Sequence, residues 1–175
     1  PLNDTGRIEL KMVNLFIGKQ STGKSTLMKI LSYCRWLEKT IMTGSDTILF
    51  AYTHNNKFIK ELMQFYRFNM GYFSNDSVIH YQGDCVSILL NGVQSNVRIE
   101  RLSTFDDERY NTKLSFIPSE RNLLSAIRNI DRAYRASDLD VLFNFVFEWG
   151  EAKEHYTNSE PKTLVVSPNM EYYFD

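Results

Sequence analysis

Residues 12–26 read Met-Val-Asn-Leu-Phe-Ile-Gly-Lys-Gln-Ser-Thr-Gly-Lys-Ser-Thr, and the fold turns on how this stretch divides. Met12, Val13, Leu15, Phe16 and Ile17 form an apolar run that predicts a buried strand, entered through the alternating Ile8 and Leu10 and ended by Gly18. Beyond the glycines, Leu27, Ile30, Leu31, Cys34, Leu37 and Ile41 recur at helical spacing, which predicts one helix from near Lys24 to just before Gly44. Strand, turn and helix thus arrive in the order that a phosphate-binding loop requires.

The turn itself is Gly18, Lys19, Gln20, Ser21, Thr22, Gly23, Lys24 and Ser25, the pattern Gly-x-x-x-x-Gly-Lys-Ser. Small residues let successive backbone N–H groups curl around phosphate oxygens, and the following helix aims its positive end at the same place. Gly18 and Gly23 are expected to supply the backbone angles of the curl. Lys24 has the reach to meet the β and γ phosphates and is the candidate catalytic group, offsetting charge that spreads over the transferred phosphoryl. The Ser25 hydroxyl suits Mg²⁺, and Thr26 suits the α-phosphate. These residues imply ATP or a related nucleoside triphosphate with Mg²⁺ as the bound species. Hydrolysis also needs an acid at the end of an apolar strand. The nearest runs, Glu148 after Phe145-Val146-Phe147 and Asp106-Asp107-Glu108, read as helix and loop carboxylates instead.

Downstream, Lys57 to about Met70 carries a helical pattern stopped by Gly71. The period then changes: Val78–Gln82, Val86–Leu90 and Val97–Leu102 are short strands joined at Gly83-Asp84 and near Asn91-Gly92, an antiparallel meander. Leu114–Ile117 reads as a buried strand ended by Pro118, and Ser119 is placed to cap a helix. That helix would carry Leu123, Ile127, Ile130 and Tyr134 on one side and Arg121, Arg128, Arg132 and Arg135 on the other. A further helix is predicted from Asp138 through Trp149, then a polar loop over 150–162, then a hairpin around Ser167-Pro168-Asn169.

Composition narrows the partners. Twenty basic and 21 acidic residues leave a net charge of −1, so no global field draws in nucleic acid or an anionic membrane. The arginine stripe is the one hint of DNA contact, and such a stripe is ordinarily the solvated side of a helix. No segment approaches the roughly 20 apolar residues of a membrane span and no secretory signal opens the chain, which makes a cytoplasmic protein the expectation. Cys34 and Cys85 sit among apolar neighbours as reduced core thiols, and His54, His80 and His155 are too scattered to ligate a metal.

The run from Arg7 to Thr26, the meander, and Leu114-Ser-Phe-Ile-Pro-Ser-Glu-Arg-Asn-Leu-Leu together cover about two thirds of the chain. They resemble ABC-type ATPases of the structural-maintenance-of-chromosomes, RecF and overcoming-lysogenization-defect branch, and look most like its bacterial AAA-labelled ATP-binding proteins. The phosphate-loop match is specific, and Pro118-Ser119-Glu120-Arg121 is characteristic though weaker. The resemblance implies an α/β P-loop NTPase: a first lobe with an antiparallel subdomain over 1–118, a helical segment over 119–162, and a hairpin starting at 163–175 that leads to a second lobe. It implies that this chain is the N-terminal part of a longer ATPase whose heads dimerise head to head around ATP. The signature motif and acidic strand would then lie beyond residue 175. Two other readings stay open beside it: a small P-loop kinase, which phosphorylated products would reveal, and a nucleotide-gated scaffold that binds without turnover.

Overall fold

A computed structural model describes residues 4–54, 56–69, 71–95, 97–102, 114–118, 141–157, 164–167 and 170–172. The chain divides into two compact units, residues 1–116 and 117–175, each described by itself.

In the first unit, α1 (Lys24–Thr43), α2 (Asp46–Thr53) and α3 (Lys57–Phe65) precede a three-stranded antiparallel sheet of β1 (Val78–Gln82), β2 (Val86–Asn91) and β3 (Arg98–Arg101). The 20-residue α1 starts and stops where its apolar spacing predicts. Its Tyr33, Cys34, Leu37 and Ile41 are buried, and Tyr33 meets Phe58 of α3 edge to face at 5.2 Å. Each large apolar side chain buried here stabilises the fold by about 1.5–3 kcal/mol before entropy is counted. Helix α2 has no counterpart in the sequence expectations. Trp36 of α1 packs edge to face on its Tyr52. Helix α3 ends five residues earlier than its apolar pattern suggests, because the chain turns through Arg67 and Gly71, both at positive φ.

The meander follows the predicted strands. Ile88 of β2 pairs with Tyr81 of β1 and Ile99 of β3, and Leu90 pairs with Ile79. Period-two alternation therefore puts Val86, Ile88 and Leu90 on one buried face. The Glu38 carboxylate ties this sheet to α1. Glu38 is buried, and it accepts hydrogen bonds from the Cys85 amide (2.8 Å), the Val86 amide (3.2 Å) and the Tyr81 hydroxyl (2.6 Å). Gly83 is glycine for the same reason: a Cβ there would overlap both carboxylate oxygens. Burial, and then the hydrogen bond to Glu38, hold the Tyr81 hydroxyl well above its usual pKa.

Two strand expectations fail. Residues 11–17 form no strand, and Met12, Val13, Leu15 and Ile17 are exposed. A strand needs a ladder partner, and none of the described strands pairs with this run. Residues 114–118 likewise form no strand, with Ile117 exposed and Pro118 buried. Leu27, Ile30 and Leu31 of α1 are only half-buried and line a groove of about 720 Å³ against residues 5–10, Phe16 and β1.

In the second unit, α4 spans Val141–Thr157, continuing through residues 150–157 where polarity suggests a loop. Glu, Ala and Lys are strong helix formers, so a polar stretch rich in them extends a helix. Glu148 lies on α4, as its periodicity predicts, and accepts from Asn144 Nδ2 at 3.2 Å. Strands β4 (Leu164–Ser167) and β5 (Met170–Tyr172) form the expected hairpin. The four arginines at 121, 128, 132 and 135, together with Asp106-Asp107-Glu108, lie outside the described residues.

Candidate phosphate-binding site

The glycine-rich turn closes directly onto α1. Gly23 caps the helix at φ +87°, a left-handed conformation that glycine adopts without penalty, and no side chain caps the first turn. The first turn of an α-helix leaves its N–H groups without intrahelical acceptors, so here they face outward beside the turn with the positive end of the helix dipole behind them. Ser21 also stands at positive φ, +63°. Gly18 does not, which corrects its expected role: a Cβ at Gly18 would lie 3.1 Å from Thr22 Oγ1, so its lack of a side chain permits close packing.

Thr22 donates its hydroxyl to the Lys19 carbonyl at 2.9 Å, closing the turn. The Lys24 ammonium folds back over it, donating to the carbonyls of Gly18 (2.8 Å) and Lys19 (2.5 Å) and to Thr22 Oγ1 (3.2 Å). The cation thus sits at the mouth of the turn, tethered by backbone oxygens that a stronger acceptor can displace. A cavity of about 320 Å³ opens here, lined by residues 21–26 and Tyr72. Of the sequence-predicted residues, Ser21, Thr22, Gly23, Lys24, Ser25 and Thr26 line it, while Gly18, Lys19 and Gln20 form the turn outside the lining. Ser25 is exposed and lines the cavity, where its hydroxyl is a side-chain oxygen within the first turn of α1. No cluster of three or more His, Cys, Asp or Glu able to hold a metal occurs among the described residues.

The chain matches no protein-family model, no curated protein and no solved structure. The site therefore rests on its own geometry.

Sequence reasoning missed Tyr72. It lies 46 positions beyond Thr26, yet the two hydroxyl oxygens are 2.5 Å apart. Phe68 stacks on the Tyr72 ring at 4.7 Å, and Phe73 meets it edge-on at 5.3 Å. The density of aromatics from Phe65 to Phe73 was the signal, but spacing alone does not tell a core cluster from a cavity wall. The cysteines sit as expected: Cys34 and Cys85 are both buried thiols outside any disulfide, and burial pushes the Cys34 thiol well above its ordinary pKa. None of the described helices is long and apolar enough to cross a membrane.

Proposed function

We propose that this chain binds a nucleoside triphosphate with Mg²⁺ through the turn over residues 18–25 and the first turn of α1. The observation that carries this reading is the uncapped N-terminus of α1 behind a glycine-rich turn, with the Lys24 ammonium drawn back over it. Backbone donors, a helix dipole and the Lys24 cation converge on one cavity, and each favours a polyanion. Lys24 exchanges two neutral carbonyl acceptors for charged phosphate oxygens, a gain because the ammonium then meets an opposite charge as well as an acceptor. Ser25 would hold Mg²⁺ together with the phosphates, since that ion keeps most of its water and takes few protein ligands.

The fold we propose for the whole is an α/β P-loop NTPase related to the ABC-type heads the sequence resembles, with hydrolysis carried out by a dimer of the longer protein. Calorimetry with MgATP and MgGTP on the folded chain tests the reading. Lys24→Ala is expected to weaken binding by roughly ten- to a hundred-fold, the worth of one lost charge-assisted contact. Absence of heat at millimolar nucleotide, or an unchanged Kd in Lys24→Ala, overturns it.

A further inference from the structure

We infer that Tyr72 is the nucleoside contact of this site, the wall against which the base and ribose of a bound nucleoside triphosphate lie. The inference rests on the phosphate-loop reading above and adds a direction to it. Lys24, Ser25 and Thr26 follow one another along the first turn of α1, and the lysine takes the outer phosphates. Thr26, two residues deeper in the helix, therefore marks the inner end of the polyphosphate, where the nucleoside is attached. Tyr72 touches the lining at that end, its hydroxyl against Thr26 Oγ1.

The residue is built to present a ring. Gly71, at φ +81° with open space where a Cβ would stand, turns the chain immediately before it, and the Tyr72 amide closes that turn on the Asn69 carbonyl at 3.0 Å. Phe68 backs the ring, and 42% of Tyr72 stays accessible, whereas nearby Tyr66 and Phe73 are buried. The Lys29 ammonium lies 5.4 Å from the centre of the Phe68 ring, which adds a cation behind the stack. A supported, accessible aromatic beside a polyanion cradle suits the flat face of a base, and such stacking tolerates any base. Tyr72 is thus the specificity determinant that separates a nucleoside triphosphate from an inorganic polyphosphate, and the remainder of the lining reads phosphate alone.

Comparing MgATP with magnesium tripolyphosphate by calorimetry on the wild-type chain, Tyr72→Ala and Tyr72→Phe tests this. The wild type should bind MgATP more tightly than tripolyphosphate. Tyr72→Ala should weaken MgATP about ten-fold while leaving tripolyphosphate within about two-fold, and Tyr72→Phe, which keeps the ring, should stay close to wild type for both. Equal weakening of both ligands in Tyr72→Ala, or of neither, overturns the inference, since a ring that merely props the turn would affect both. Wild-type protein that binds tripolyphosphate as tightly as MgATP overturns it while sparing the phosphate loop. Wild-type protein that binds neither ligand overturns both.

Discussion

Removing the Glu38 carboxylate should come close to unfolding the first unit, and Gly83 should reveal why. Two buried backbone amides, of Cys85 and Val86, and the Tyr81 hydroxyl all donate to it. A hydrogen bond to a charged group contributes about 1.5–3 kcal/mol, and stripping the acceptor from buried donors forfeits that together with their solvation. The groove beside Glu38 admits water that recovers part of this loss, so Glu38→Ala is expected to cost about 3–5 kcal/mol. That is a large share of the roughly 5–15 kcal/mol that holds a domain together. Glu38→Gln keeps an acceptor for both amides and turns its amide nitrogen toward Tyr81, whose oxygen then accepts; about 1 kcal/mol should be lost. Gly83→Ala drives a methyl into the carboxylate, so its cost is bounded by that of displacing Glu38 from the groups that donate to it. In a Glu38→Ala background the three atoms nearest that methyl are gone, and its cost should fall below about 1 kcal/mol. Urea unfolding followed by far-ultraviolet circular dichroism measures all four corners of the cycle. Additive costs for Gly83→Ala and Glu38→Ala, or Glu38→Gln as damaging as Glu38→Ala, would refute the reasoning.

Alkaline pH should unfold the protein through its buried tyrosines. Burial raises the pKa of Tyr33, Tyr52, Tyr66 and Tyr81, that of Tyr66 to about 12. An unfolded tyrosine loses its proton near pH 10 while these keep theirs, so stability is intact below that pH and falls as pH rises through the folded values, by up to about 1.4 kcal/mol per pH unit for each tyrosine. The tyrosinate absorbance of these four should therefore appear together with loss of helical dichroism; a full complement of tyrosinate in a protein still folded would contradict it. Gly92→Ala should cost about 2–4 kcal/mol, because alanine disfavours φ +81° and its Cβ would lie 2.5 Å from the Asn75 carbonyl oxygen. A melting temperature within a degree of wild type would be the contrary result.

Helix α1, the Gly23 turn before it and the three meander strands were legible in the sequence because their signals are local. Apolar residues every three to four positions, alternation every two, and a turn tight enough to demand glycine are all satisfied within a few residues of chain. The same local signals misread residues 11–17 and 114–118, since an apolar run becomes a strand only against a partner that its own sequence does not contain. Polar residues 150–157 were misread in the other direction, as loop where helix propensity prevails. Tertiary structure alone brought Tyr72 to Thr26 and Glu38 to the amides of Cys85 and Val86, contacts spanning more than 40 positions. Such contacts depend on how helix and sheet pack, and nothing in the spacing of residues near either partner encodes the distance between them.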